Sequence, residues 1–312
     1  MNSPAGSART PRERFASAVT VGGYRTGALL ASALPAFLAE GLATPIGFGA
    51  NFANAQRRAI VAHHLRRVRP DWPPWRLRQA TQEAFDSYAR YWIEALRLPS
   101  LSARTVAQGI QLTGFSQVTE ALERGTGAIL ALPHLGGWEW AGRWLGDDGH
   151  RITVIVEQIE PPELFEWFVG LRTELGMNVV PLGPGASRAV LAALGNNEIV
   201  CLLCDRDIGG GGVEVEFFGE VTTLPAGPAT LGLRAGAPVF PVGAYFTRRV
   251  NGHLAVVRHP VPAERQGSLR DDVTRMTTHL AGELEYLIRR APEQWHLFQP
   301  NWPSDPGYAR PR

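Results

Sequence analysis

The chain has 312 residues, enough for one large α/β domain or two small ones around a sizeable core. A formal net charge of +2, with no basic run interleaved with aromatics, argues against a nucleic-acid partner. The sequence contains no lysine and all 31 basic residues are arginine, which excludes a P-loop lysine, Schiff-base chemistry, pyridoxal phosphate attachment and biotin carriage.

Taken in order, residues 1–13 are polar and Arg-bearing. They predict a disordered start and contain no cleavable apolar core of a secretory signal. Phe15 to Gly49 is rich in Ala, Leu and Gly and predicts helices broken at Pro35 and near Pro45. Its most apolar part, Thr26–Ala39, is about 14 residues long, too short to span a bilayer. The whole stretch Phe15–Gly49 reads either as a helical hairpin packed on the body or as an amphipathic surface lying in a membrane interface. Ala53–Arg69 predicts a basic helix, suited to solvent or to anionic head groups. Trp75–Leu96 predicts another helix, whose Tyr88, Tyr91, Trp92 and Leu96 form an aromatic stripe expected to pack in the core.

From Gly114 the pattern changes to short apolar runs alternating with helical stretches. Ala128–Leu132, Ile152–Val156, Asn178–Pro181, Ile199–Leu203, Val213–Phe217 and Pro238–Phe246 read as strands. Glu163–Gly176, Ser187–Leu194, Ala226–Arg234 and Arg270–Arg290 read as helices. This alternation predicts an α/β fold with a central, mostly parallel sheet covered by helices on both faces. The expected organisation is a helical, membrane-associating segment over 14–113 and an α/β core over 114–312, together one folded unit. Cys201 and Cys204 form a CxxC, but on a buried strand such positions face opposite sides and read as small core residues. Gly209–Gly212 lacks the Lys and Ser/Thr of a phosphate loop. No histidine spacing suggests a metal site.

The stretch with the most chemical content is GTGAILALPHLGGWEWAGRWL, residues 125–145. A buried strand stops at Pro133, His134 follows in a loop, and a helix starts after Gly136-Gly137. Polar groups at a strand's carboxyl end, facing a helix start, are where α/β sheets place chemistry. Five residues cover about 140° on an ideal helix, so His134 and Glu139 would not share a helical face. With His134 in the loop, Glu139 is expected to reach back to an imidazole nitrogen, as a base and its orienter. Glu157 follows the strand ITVIV, Arg172 lies on the next helix, and Asp205-Arg206-Asp207 follows IVCLLC. Charged groups delivered by several strand ends converge on one rim.

These residues resemble a known pattern. His134-x4-Glu139 after a buried strand is similar to the His-x4-Asp/Glu signature of glycerolipid-type acyltransferases. Within that superfamily the chain resembles the lipid A acyltransferase branch, particularly actinobacterial phosphatidylinositol mannoside acyltransferases. The resemblance is carried, over about residues 50–302, by SYARYWIEALRLP, PHLGGWEWAG, ELFEWFVGLRTELG, CDRDIGGGGVEVEFFGE, LPAGPATLGLRAGAPVFPV and PEQWHLFQPNW. It implies transfer of a fatty acyl group from acyl-CoA to a mannose hydroxyl of a glycolipid acceptor. The enzyme would be peripheral at the cytoplasmic face of the plasma membrane, on an anionic surface, with acyl-CoA a co-substrate and no cofactor or metal. His134 would be the general base, Glu139 and Asp205 its acidic partners, and Glu157 and Arg172 groups near the acceptor sugar, with Arg206 beside them. The mannoside branch carries Asp in the first acidic position and Glu in the second; here these are Glu139 and Asp205. Two competing readings are another glycolipid acyltransferase, such as a lipid A type, and an inactive membrane-peripheral lipid-binding protein. A glycerol-phosphate acyltransferase fits less well, because no block resembling EGTR follows.

Overall fold

The computed structural model describes residues 11–309. The expected disorder of 1–13 therefore lies outside the described residues, save for 11–13, which open the first helix. Four helices lead the chain: α1 (Pro11–Ala33), α2 (Ala36–Ala53), α3 (Ala55–Val68) and α4 (Pro74–Arg97). The helix break at Pro35 is found, but α2 runs on through Pro45. Pro45 sits on the exposed side, whereas Ala39, Ala43 and Gly47 recur every four residues on the buried side. That ridge of small residues seats α2 on α4, closely enough that a Cβ on Gly47 would collide with Asp86. Tertiary packing thus outweighs the lost backbone hydrogen bond. Asn54 ends α2 and caps α3, its side chain accepting from the Arg57 N–H at 3.0 Å.

Then follow α5 (Ala103–Gly109), β1 (Ile110–Thr113), α6 (Ser116–Glu123), β2 (Ala128–Leu132), α7 (Trp138–Asp147), β3 (Ile152–Val156), α8 (Pro162–Glu174), β4 (Met177–Pro181), α9 (Ala186–Gly195) and β5 (Ile199–Leu203). A two-stranded hairpin, β6 (Val213–Phe217) and β7 (Glu220–Leu224), leads to α10 (Gly227–Ala235), β8 (Val239–Phe246), β9 (His253–Val257) and α11 (Leu269–Arg290). The seven-stranded sheet has the order β1-β9-β8-β2-β5-β3-β4. Strands β8, β2, β5, β3 and β4 run parallel, β9 is antiparallel to β8, and β1 is parallel to β9. The mostly parallel α/β fold expected from the sequence is what forms. The sheet begins at Ile110, so the last residues of the helical segment 14–113 already belong to it.

Both faces are covered, as a parallel sheet requires. Ile129, Ala131, Val200 and Leu202 point into the larger core with α9, α10 and α11. Ala128, Leu130, Leu132 and Ile199 point the other way, towards Val118 and Ala121 of α6 and Leu145 of α7. The two cysteines divide between these layers: Cys201 packs with the second and Cys204 with the first. Burial pushes the Cys201 thiol up to about 12, with the Glu139 charge adding to it, so it behaves as an apolar side chain.

After α11 the chain closes as a strap, residues 291–305, running between the helical segment and the sheet. Trp295, Leu297, Phe298 and Trp302 are all buried there. Phe298 packs edge-on to Phe85 of α4 and stacks on Tyr88. Asp305 closes the strap onto α3, taking hydrogen bonds from His64 Nε2 at 2.9 Å and Arg67 Nη1 at 3.2 Å.

Candidate active site

Strand register brings the central pair together. In the β2–β5 ladder Leu132 lies opposite Leu203, so two residues beyond each strand His134 meets Asp205. His134 Nδ1 is 2.6 Å from Asp205 Oδ1, and the His134 backbone N–H donates to Oδ2 at 3.0 Å. The Trp295 indole N–H donates to the same Oδ2 at 2.7 Å, and Asn301 Nδ2 donates to the Asp205 carbonyl at 3.2 Å. Asp205 is fully buried, which alone would push its carboxyl up. The adjacent His134 and the hydrogen bonds from His134 and Trp295 outweigh that and hold it below the ordinary value. An anionic carboxylate at Nδ1 fixes the proton there and leaves Nε2 as the basic atom.

Glu139 is placed differently from the expectation that it orients His134. Its carboxylate takes the Arg172 guanidinium at 2.5 Å and 3.1 Å and the Tyr91 hydroxyl at 3.2 Å. The reason is local. Gly136, at φ 59°, and Gly137 turn the chain between the two residues, so His134 faces β5 while Glu139, in the first turn of α7, faces α8. Trp138 fills the intervening space, stacked on Tyr91 at 4.2 Å and edge-on to His134 at 5.6 Å. Burial disfavours the Arg172 charge, but Glu139 more than compensates and raises its pKa above the ordinary value.

The three residues after β5 take three separate roles. Asp205 holds His134. Arg206 pairs with Glu157, at the end of neighbouring β3, at 2.6 Å. Asp207 turns back on its own loop and accepts the Gly212 N–H at 3.0 Å. A cavity of about 520 Å³ opens over these strand ends. His134, Glu157, Arg172 and Arg206 line it, while Glu139 and Asp205, 6% and 0% exposed, stand behind its wall. Trp92, Phe165, Phe168, Ile155, Val190 and Leu202 supply apolar lining. The aromatic stripe of α4, read from sequence as core, therefore forms one wall of the cavity: Tyr88, Tyr91 and Trp92 all face it.

Residues 14–304 match the family of bacterial lipid A biosynthesis acyltransferases. The chain belongs to that family. It is 35% identical over 295 residues to a phosphatidylinositol mannoside acyltransferase of Mycolicibacterium smegmatis, covering 92% of each chain. It is 36% identical over 232 residues to the protein of that name from Mycobacterium tuberculosis, strain CDC 1551, covering 73% of this chain and 71% of that one. The protein is therefore an acyltransferase of this family, and the cavity over the strand ends is where its chemistry is expected.

Two residues of the candidate site are not marked by any strand-end rule. Trp295 reaches Asp205 from the strap. His296, next to it, is buried and lines the cavity, its Nε2 2.9 Å from Ser87 Oγ and its Nδ1 without a partner among the described residues. Burial, reinforced by His134 nearby, lowers its pKa to about 3, so it remains neutral at working pH. The strap carries both, and the only sequence signal for them is the block PEQWHLFQPNW.

Gly136 gives a first test of how the His134 loop is held. A Cβ there would strike the Ala244 carbonyl oxygen, and the residue sits in the left-handed region. Gly136→Ala is expected to cost roughly 2 kcal/mol of stability and to lower activity further than that loss explains, since His134 must shift. Thermal melting combined with turnover at a temperature where the variant is fully folded checks this. An unchanged turnover would show that the loop position does not matter.

Proposed function

We propose that this acyltransferase moves a fatty acyl group from acyl-CoA to a mannose hydroxyl of a phosphatidylinositol mannoside, with His134 as general base and Asp205 as its orienting acid. The observation that carries the reading is the 2.6 Å contact between His134 Nδ1 and a fully buried Asp205, on the wall of a largely apolar cavity. The names of the two mycobacterial relatives supply the acceptor class.

The steps follow from that pair. Nε2 of His134 takes the proton of the sugar hydroxyl as its oxygen attacks the thioester carbonyl, a contribution of ~10²–10⁴ in rate. Asp205 stabilises the imidazolium so formed. The tetrahedral intermediate collapses, the C–S bond breaks, and the imidazolium returns its proton to the departing CoA thiolate. The developing oxyanion needs donors; at the start of α7 the Gly136 N–H is already taken by the Gln294 carbonyl, and of that turn Trp138 lines the cavity. No acyl-enzyme is required, and nothing beyond these side chains and the two substrates enters the balance. Glu157, Arg206, Arg172 and the neutral His296 are polar members of the cavity lining. The free lone pairs and guanidinium N–H groups left by the Glu157–Arg206 pair suit sugar hydroxyls. The apolar lining suits the acyl chain.

We infer that the enzyme works at the cytoplasmic face of the plasma membrane as a peripheral protein. No helix among the described residues is long and apolar enough to cross a membrane. Instead Leu29, Leu30, Phe37, Ile46, Phe48 and Phe52 on α1 and α2 are half to four-fifths exposed. Arg57 and Arg66 of α3 are also exposed, whereas Arg67 is tied to Glu220 and Asp305. Apolar insertion with electrostatic attraction is the reading that fits such a surface. Flotation with anionic vesicles is expected at low salt, weakening towards about 0.5 M, where the Debye length is only a few ångströms. Phe48→Ser and Phe52→Ser together are expected to reduce binding at both salts. Binding that ignores lipid charge and salt would reject the electrostatic part.

The reaction itself is tested with purified protein, labelled acyl-CoA and phosphatidylinositol mannoside. The expected result is an acylated mannoside that appears as CoA thiol is released, one for one. Thiol release without acylated mannoside, or transfer only to a lipid A-type acceptor, would overturn the acceptor assignment.

A further inference from the structure

We propose that Trp295 is a positioning residue, whose indole N–H together with the His134 backbone N–H fixes Asp205 Oδ2 so that Oδ1 is presented to His134 Nδ1. The inference rests on the assignment of His134 and Asp205 as base and acid.

Three chain segments meet at one carboxylate. Oδ2 accepts from Trp295 Nε1 at 2.7 Å and from the His134 N–H at 3.0 Å, which leaves Oδ1 for the ring at 2.6 Å. The strap is itself locked to the His134 loop. Gly136 N–H donates to the Gln294 carbonyl at 2.9 Å, and His296 N–H donates to the His134 carbonyl at 2.7 Å. Trp295 therefore moves only with the segment that carries the base. A carboxylate held by one contact could rotate about its χ2; with a second oxygen held by two donors it cannot do so without breaking both.

Packing alone does not call for an indole here. The aromatic neighbours of Trp295 are the rings of Phe218 at 5.8 Å, Trp302 at 6.1 Å, Phe217 at 6.3 Å and His64 at 5.6 Å. These would accept any ring of similar size. Tryptophan differs from phenylalanine in ring size and in its N–H, and the N–H is aimed at the carboxylate. Trp302 supplies a matched control in the same core. It too is buried and its indole N–H donates at 3.0 Å, but to the Phe217 carbonyl rather than to a group of the site.

The test compares Trp295→Phe with Trp302→Phe, reading kcat, KM and the pH profile of kcat/KM alongside thermal melting. Each loses one buried indole hydrogen bond, so comparable losses of Tm are expected. Only Trp295→Phe is expected to lower kcat, by ~10-fold or more, with KM for acyl-CoA held within about twofold. The acid limb should move as well. The groups facing Asp205 are His134, the Cys204 thiol next to it and, through space, His296. Of these His296 stays neutral and the thiol protonated. Without the indole N–H the carboxylate is less satisfied, binds the imidazolium form of its partner more strongly, and the limb shifts to higher pH.

Should Trp295→Phe fold poorly, 3-benzothienylalanine at position 295 keeps the bicycle while removing the N–H, and the same shifts are expected. Wild-type kcat and acid limb in the benzothienyl protein, with His134→Ala inactive, would overturn the positioning role and leave the base assignment standing. Turnover surviving in His134→Ala would overturn both.

Discussion

Asp205→Asn is expected to lower the rate of acyl transfer by roughly 10³-fold or more while leaving the protein folded. The direction follows from the donors around the side chain. Trp295 Nε1–H and the His134 N–H both point at Oδ2, so the amide oxygen of an asparagine would settle there. Its NH₂ then occupies the Oδ1 position and donates to Nδ1. The imidazole proton is driven to Nε2, the nitrogen that must accept the hydroxyl proton, and the base is held in the wrong tautomer. The corresponding exchange in a Ser-His-Asp triad costs ~10⁴ for the same reason. His134→Ala, which removes the proposed base altogether, is expected to keep less than about a tenth of wild-type turnover. Single-turnover rates at saturating acyl-CoA, with melting curves as the folding control, check both variants. A folded Asp205→Asn within tenfold of wild type would remove Asp205 from the mechanism.

The second large effect concerns stability. Glu139→Gln leaves the Arg172 guanidinium, 20% exposed, without its counter-charge. Removing one partner of a buried ion pair typically costs about 3 kcal/mol or more, which for a chain of this size lowers Tm by roughly 6 °C. KM for the acceptor should rise, because Arg172 lines the cavity and would no longer be held. The transfer rate at saturation should fall far less than in Asp205→Asn, since Glu139 does not touch the base. Exchanging both members, Glu139→Gln with Arg172→Met, is expected to recover part of the lost stability without recovering acceptor affinity. If instead Glu139→Gln abolishes turnover at unchanged KM and Tm, the carboxylate belongs to the chemistry and not to Arg172.

The buried parallel strands 128–132, 152–156 and 199–203 are legible to the residue because both faces are covered and the runs are apolar save for Thr153. β1, β7 and β9 left weaker signals: IQLT is half exposed at an edge, EVTTL is polar, and HLAVV follows an exposed turn. All six candidate site residues lie in or directly behind the cavity wall, because each sits at a strand end or on the helix that follows. Their pairing was a different matter. Sequence spacing favoured Glu139 as the partner of His134, but the partner is set by ladder register between strands about 70 residues apart. Only the pairing of Leu132 with Leu203 decides it. The strap is less accessible still, since nothing local to 291–305 reveals that Trp295 and Asn301 end up beside Asp205.

The base pair can be observed directly by ¹⁵N and ¹H NMR of histidine-labelled protein, with His134 assigned by its loss in His134→Ala. The expected result is a strongly hydrogen-bonded, low-field Nδ1 proton on His134 and an unprotonated Nε2. That pattern should disappear in Asp205→Asn and persist in Glu139→Gln. Persistence in Asp205→Asn with loss in Glu139→Gln would contradict the assignment and return Glu139 to the side of the base.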